Sequence, residues 1–440
     1  MKNGDKISLN YYECFLAIII MMVSELSSNK LFLLPLAIYS MICTLFWPKI
    51  KILFFMILLL PIAENLSFLG TLTIPSALSY VYVVRFLIEI IISKKIKIEK
   101  WYVCHLFLLL LGILNYYLTK STYQLMISLK AFSFFVLIND VIYNSAIKQK
   151  IKYSNIYIKS IRYLGFGLII ATILSIFINK GIYLSRFSFV GKSTTNIIGI
   201  QSSIVIIALL FNFIISSKIE KKDIILILFC LFIVLITMSR TAIIITLLGI
   251  LLLELLSILK KRKLRILLFY IIMIICTLLL YTFNNNFRKL SNMMIDRFKV
   301  EDISNGRYTI WSQTINIMNN NKKYKFFGAG NYTNIGVLNS KKQESIMAHN
   351  FILETWVIYG YIGTIILIIE ISLLIKSCLQ TTYKQLKSYN IISFVPAITL
   401  IGALMYSHHF IGKASSLLFV ISFLPIVMQK ELTLRNNENE

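Results

Sequence analysis

Long apolar stretches separated by short polar turns make up most of this chain. Each stretch approaches the roughly 20 residues that a helix needs to cross a hydrocarbon core of about 30 Å. The apolar residues are continuous and do not alternate at every second position, which excludes a membrane β-barrel and leaves helices. The pattern therefore predicts an all-α polytopic integral membrane protein.

About fourteen apolar stretches qualify as spans, and we expect about 12 to 14 transmembrane helices. The predicted spans are approximately 11–27, 31–47, 50–64, 74–92, 101–118, 122–143, 158–178, 194–215, 223–238, 241–258, 264–283, 349–375, 389–407 and 413–428. The apolar run from Asp223 to Leu259 is too long for one span, so we predict a turn at Ser239, Arg240 and Thr241.

One long polar segment, Asn284 to Ala348, interrupts the series of spans. It divides the chain into an N-terminal transmembrane bundle at 1–283, a long loop at 284–348, and C-terminal transmembrane helices with a short tail at 349–440. About eleven spans precede the loop and about three follow it. Within the loop, the helical spacing of apolar residues after Arg307 predicts short amphipathic helices that lie on the membrane.

The distribution of Lys and Arg predicts the orientation of the spans. Alternate short loops carry 25 of these residues on one side and 7 on the other, and the side with more basic residues is cytoplasmic by the positive-inside rule. Both termini are then cytoplasmic and the long loop is periplasmic or extracellular. The expected location is the bacterial inner membrane, with membrane lipids as partners.

The net charge of +26 would favour nucleic acid in a soluble protein. Here most of it is explained by cytoplasmic anchoring beside anionic headgroups, so nucleic-acid binding is excluded. The long loop is different, because its ten Lys and Arg face only four acids on a side where topology does not require them. An anionic ligand fits that surface. The six cysteines show neither disulfide nor metal-ligand spacing.

Charged residues inside spans are candidates for function by default. Arg85 and Glu89 are four residues apart, which predicts a structural ion pair near the cytoplasmic side. Lys130 and Asp140 show no evident partner in the sequence. Glu354 follows His349 by five residues, which suggests a hypothesis in which it supports that histidine.

Short polar motifs follow one another along the predicted outer ends of the spans. In chain order they are Arg186 before GKSTTNIIG, Arg240 in SRT, Gly306 and Arg307 with Trp311, Gly328 and Gly330, and His349 and Asn350 before Gly360 and Gly363. Their order and topology resemble the superfamily of O-antigen polymerases and O-antigen ligases, which assemble bacterial surface polysaccharides.

The resemblance implies a glycosyltransferase similar to the GT-C class, acting on glycans carried by undecaprenyl diphosphate. It implies catalytic roles for His349, Arg240 and Arg307, and substrate contacts from Arg186, Asn196, Trp311 and Asn350. The planar fork of arginine suits a diphosphate whose negative charge grows as the glycosidic bond breaks. A neutral histidine suits the proton of the attacking hydroxyl. This chemistry needs no metal or other cofactor. The implied partners are the lipid-linked oligosaccharide, a chain-length regulator and a flippase.

Structural explanations of these residues stay open at this point. Arg240 at a span end is equally typical of a headgroup anchor, and Trp311 of an interfacial aromatic residue. His349 at a helix start is also explained as a cap, and His408 and His409 are alternative catalytic histidines.

The function that we predict is polymerisation of the lipid-linked oligosaccharide repeat units, and three other functions are alternatives to it. An O-antigen ligase would use the same donor and transfer the glycan to lipid A core. A flippase or other transporter would share the spans and the anionic lipid, but it would place its polar site near the midplane. A transferase with an acidic catalytic residue in the first outer loop fits poorly, because that loop is only Ser28, Asn29 and Lys30. A composition rich in Ile, Lys, Asn and Phe suggests an AT-rich gene and favours polymerase over ligase.

Overall fold

The computed structural model describes most of the chain, with gaps. The described residues are 8–27, 29–69, 72–93, 100–120, 122–141, 153–178, 195–216, 220–258, 282, 285–298, 307–331, 334–335, 348, 350–383, 395–404 and 422. The predicted spans at 264–283 and 413–428 lie almost wholly outside these residues, and only 395–404 of the span at 389–407 is described.

Helices account for nearly all of the regular structure in the described residues. They are α1 Tyr11–Leu26, α2 Leu33–Phe46, α3 Lys49–Leu59, α4 Ile74–Ser93, α5 Lys100–Thr119, α6 Thr122–Asn139, α7 Tyr153–Ile178, α8 Thr195–Ser216, α9 Lys221–Thr237, α10 Arg240–Ile258, α11 Asn285–Phe298, α12 Arg307–Asn320, α13 Lys322–Phe327, α14 Phe351–Tyr383 and α15 Val395–Leu404. Short 3-10 turns lie at Lys30–Phe32 and Leu60–Ile62. Two short strands, β1 Ser67–Leu69 and β2 Leu72–Thr73, form an antiparallel pair.

Five of the described helices are long and apolar enough to cross a membrane. Their apolar parts are Ile74–Ile92, Thr122–Asn139, Asn155–Ile178, Thr195–Ile214 and Phe351–Leu373. Each predicted span between residues 11 and 258 coincides with a described helix. The predicted class, an all-α polytopic membrane protein, is confirmed. The number of spans stays a prediction.

The outward face of α5 shows how these helices meet their surroundings. Its exposed apolar side chains recur every three to four residues and are Val103, Leu106, Phe107, Leu110, Ile113, Leu114, Tyr117 and Leu118. The opposite, buried face carries His105 and Asn115. In a soluble protein a helix usually buries its apolar face and exposes its polar face, and α5 does the reverse. That reversal is the arrangement expected of a helix in contact with lipid tails.

Small residues let the helices approach closely. A Cβ on Gly112 of α5 would lie 2.2 Å from the Ser128 Oγ of α6. A Cβ on Gly167 of α7 would lie 2.3 Å from the backbone oxygen of Leu58 in α3. Because lipid tails are as apolar as the helices, association depends on such close packing instead of on the hydrophobic effect.

An ionic cluster joins α3, α4 and the end of α6. The Arg85 Nε lies 3.0 Å from the Glu89 Oε1, so these side chains form the pair that the sequence predicts. The ammonium of Lys49 contacts Glu89 and lies 2.5 Å from the Asp140 Oδ2, and Tyr82 also donates to Asp140. The expectation that Asp140 lacks a partner is therefore wrong. Its partners come from segments far away in the sequence, where a helical spacing rule does not reach.

Two groups of helix contacts position the candidate site. In one group α8 contacts α7, α9, α10 and α15, and in the other α5 contacts both α6 and α14. The two short helices α12 and α13 pack on α14. The candidate site is built on the α8–α10 contact and on the contact of α12 and α13 with the start of α14.

Candidate active site

Arg240 begins a helix at a tight turn. Helix α9 ends at Thr237, and Met238 adopts a left-handed conformation with φ 47°. The Ser239 Oγ then accepts a hydrogen bond of 3.3 Å from the backbone N–H of Ala242, and α10 begins at Arg240. The predicted turn at 239–241 is therefore present. A positive φ in a residue other than glycine costs about 1 kcal/mol or more, so packing must hold this turn.

Helix α8 provides that packing. A Cβ on Gly199 would lie 2.8 Å from the Ala242 Cβ and 3.0 Å from the Thr237 Oγ1. Asn196 lies one turn before Gly199, at the start of the same helix. The structure therefore brings the ends of α8 and α10 that carry Asn196 and Arg240 together.

Hydroxyl groups hold this contact below the turn. The Ser203 Oγ of α8 donates to the Ala242 oxygen at 3.1 Å, and the Thr246 Oγ1 donates to the Ser203 Oγ at 2.8 Å. The single proton of each hydroxyl is also within hydrogen-bond distance of a carbonyl one turn earlier in its own helix, so both hydroxyl groups have partners inside an apolar bundle. The half-buried Arg240 side chain thus projects from a well-supported helix start.

Arg307 and Trp311 belong to α12, the helix predicted inside the long loop. Arg307 is the first residue of the helix and is half-buried. The Trp311 Nε1 donates to the Ala348 oxygen at 2.7 Å, and the Tyr308 ring meets the Trp311 ring edge-on at 5.4 Å. Met318 is buried on the same helix, in a cluster with Ala348. The loop helix therefore packs against the segment that leads into α14.

Asn350 caps α14. Its side-chain oxygen accepts from the backbone N–H groups of Ile352 and Leu353 at 3.1 and 3.2 Å. Asparagine is among the best N-cap residues because it satisfies amide groups that a helix start leaves unpaired. The cap explains this residue structurally, and its contact with a substrate stays a prediction.

His349 and Arg186 lie outside the described residues. Their roles stay predictions. The structure describes five of the predicted site residues, and they form two groups. One group contains Arg240 and Asn196, and the other contains Arg307, Trp311 and Asn350. The joint action of Arg240 and Arg307 on one ligand also stays a prediction.

Tyr123, at the start of α6, and Glu64, which follows the 3-10 turn Leu60–Ile62, were not singled out from the sequence, and the charges of Glu354 and Glu64 both act on the Tyr123 hydroxyl. Glu354 is buried in the first turn of α14. An acid such as Glu64 between apolar stretches is a sequence signal, but the residues that surround it depend on the tertiary fold. Among the described residues, no group of three or more His, Cys, Asp and Glu side chains is arranged to hold a metal ion.

The fold and this site define a polytopic helical membrane protein in which two short helices, α12 and α13, pack on the long helix α14. Residues 225–368 match a family model described as O-antigen ligase. This match confirms the resemblance to the superfamily of O-antigen ligases and polymerases, whose members are enzymes of the glycosyltransferase type. No curated protein matched the chain. The matched segment contains Arg240, Arg307, Trp311, His349 and Asn350. It does not contain Arg186 or Asn196.

Proposed function

We propose that the protein polymerises oligosaccharide repeat units linked to undecaprenyl diphosphate, at the outer face of the inner membrane. The product would be an O-antigen or a capsular or exopolysaccharide. The observation that carries the proposal is the placement of Arg240 and Arg307, each at the first residue of a helix inside the segment that matches the O-antigen ligase family. A helix start and a guanidinium both attract phosphate oxygens.

The reaction requires one bond to form and one to break. A hydroxyl oxygen of the acceptor sugar attacks the anomeric carbon of the donor, and the bond from that carbon to the diphosphate oxygen breaks. Undecaprenyl diphosphate leaves with the bonding electrons. Arg240 and Arg307 stabilise the charge that develops on it, which replaces the role that a metal ion has in many other transferases.

The hydroxyl proton needs an acceptor. His349 is the proposed base, since a neutral imidazole accepts a proton near pH 7. Glu354 follows His349 by five residues, in the first turn of α14, and is the proposed support for the imidazolium that forms. Arg186, Asn196, Trp311 and Asn350 are the proposed contacts to the glycan and the lipid diphosphate.

The polymerase proposal is tested with purified protein and lipid-linked repeat units as the only substrate. We expect a ladder of products that differ by one repeat unit. A single product that forms only after lipid A core is added would identify a ligase and contradict the proposal. In cells, deletion of the gene should leave single repeat units on the finished glycan, whereas complete loss of the glycan would contradict the proposal and indicate a flippase or a ligase.

A further inference from the structure

Helix α14 is broken at Gly360, which has φ 68° and ψ −170°. In an unbroken helix the carbonyl of Val357 would accept from the N–H four residues later. Here it accepts from two N–H groups of the long loop, Ala329 at 2.7 Å and Gly330 at 3.2 Å. A broken helix at membrane depth persists only where other groups satisfy its freed carbonyls. The loop backbone therefore completes the hydrogen bonding of α14.

Two glycines make this contact possible. Gly328 has φ 87°, and a Cβ there would lie 2.3 Å from the Ile358 oxygen. A Cβ on Gly360 would lie 2.2 Å from the Phe326 oxygen. A side chain is excluded at both positions for two reasons, the positive φ and the close approach of the opposite backbone. We call the contact between residues 328–330 and 357–360 the glycine joint.

Side chains from two helices hold the other side of the joint. The Asn115 side chain of α5 donates to the Phe327 oxygen, and the Trp356 Nε1 donates to the Lys325 oxygen at 3.1 Å. Both acceptors belong to α13, the six-residue helix that leads into the joint. Asn115 and Trp356 are buried, so these bonds are shielded from competing water.

We propose that the glycine joint positions Arg307 and Trp311 for the proposed glycosyl transfer. Only Asn321 separates α12 from α13, so the joint fixes α12 against α14 at a second point beside the Trp311–Ala348 bond. Two separated attachments prevent the loop helix from pivoting about either one. Gly328, Gly360 and Trp356 are then positioning residues, since they act through α12 and the start of α14.

The inference rests on the proposed function, because it assigns these residues a role in the transfer. Displacement of a catalytic group by about 1 Å can reduce a rate about 100-fold even when binding persists. A joint that serves only to fold the loop would change the amount of competent protein. A positioning joint changes the rate of each competent molecule.

The test compares Gly360→Ala with the wild-type protein and with Phe326→Leu as control. The control changes a half-exposed side chain of α13 and keeps every backbone contact of the joint. Hydrogen exchange at the amides of Ala329 and Gly330 reports whether the joint is closed. The monodisperse fraction on size exclusion counts the folded, competent molecules, and ladder formation gives kcat per competent molecule.

We expect faster exchange and a kcat about 100-fold lower per competent molecule in Gly360→Ala, with the control unchanged. Faster exchange with an undiminished kcat would overturn the positioning role. Unchanged exchange at Ala329 and Gly330 would show that Gly360 is not needed to keep the joint closed, and it would also overturn the proposal. If Gly360→Ala does not accumulate, Trp356→Phe opens the joint more mildly by removing one donor. Absence of any ladder from the wild-type protein would count against the proposed function, while its exchange pattern would still report on the joint.

Discussion

Arg240 and Arg307 come from different parts of the chain and have the same local setting. Each is the first residue of a helix as the structure describes it, and each is half-buried. Neither feature alone separates a binding residue from a headgroup anchor. Their placement within the matched family segment is the reason to assign them to the lipid diphosphate.

Substitution of either arginine tests this assignment. We expect Arg240→Ala and Arg307→Ala each to reduce ladder formation by about 100-fold or more, as for the loss of a group that stabilises transition-state charge. Lysine at either position keeps the charge and loses the planar fork, so a partial rate is expected. The measurement is the ladder assay with protein levels in the membrane held equal.

Arg288→Ala serves as the matched control. Arg288 is an exposed arginine of α11, in the same loop, and its guanidinium donates to the Thr282 oxygen. It should form ladders as the wild-type protein does. Retained ladders in an Arg240→Ala or Arg307→Ala variant would remove that residue from the diphosphate site.

At the scale of elements, the α8–α10 contact supports the Arg240 turn. Gly199→Ala would place its Cβ 2.8 Å from the Ala242 Cβ, which is closer than real Cβ contacts allow. We expect a loss of about 1–3 kcal/mol, the usual effect of overpacking. The measurement is thermal unfolding of the solubilised protein, together with the ladder assay.

The double variant Gly199→Ala with Ala242→Gly provides the control for this contact. It removes the opposing methyl group, so part of the lost stability and activity should return. Equal losses in the single and double variants would show that the contact with Ala242 does not govern the turn.

The ionic cluster and the glycine joint connect different sets of helices. Lys49, Arg85, Glu89 and Asp140 join α3, α4 and α6, while the joint fastens α13 to α14 and α5. The first cluster satisfies charges inside the bundle, and the second satisfies backbone groups freed by the break at Gly360. Both follow from the same requirement, that polar groups away from water need partners.

At the scale of the whole molecule, the proposed topology places α12 on the outer side of the cytoplasmic membrane. It places the start of α9 on the cytoplasmic side. Gln313→Cys in α12 and Lys221→Cys in α9 both create exposed cysteines. In cells whose cytoplasmic membrane is accessible, a maleimide that cannot cross membranes should label Gln313→Cys and spare Lys221→Cys. Labelling after lysis should reach both.

The native cysteines provide a built-in background for this experiment. All six lie outside the long loop, at 14, 43, 104, 230, 276 and 378. The wild-type protein treated in the same way therefore sets the baseline. Preferential labelling of Lys221→Cys in unbroken membranes would reverse the predicted orientation.

Much of the fold could be predicted because hydropathy is a local property of the chain. Continuous apolar stretches require backbone groups that bond within their own segment, and that requirement alone predicts helices. The turn before Arg240 was predictable for a related reason, since the apolar run around it is too long for one span. The loop helix with Arg307 and Trp311 was predictable from its apolar spacing.

The sequence by itself determined the membrane class and the approximate places of the described helices between residues 11 and 258. Only the tertiary structure decided that Asp140 pairs with Lys49, 91 residues away, and that loop amides complete the broken helix at Gly360. Such contacts join segments that are distant in the chain. They depend on how complete helices pack, and a local pattern of apolar and polar residues does not carry that information.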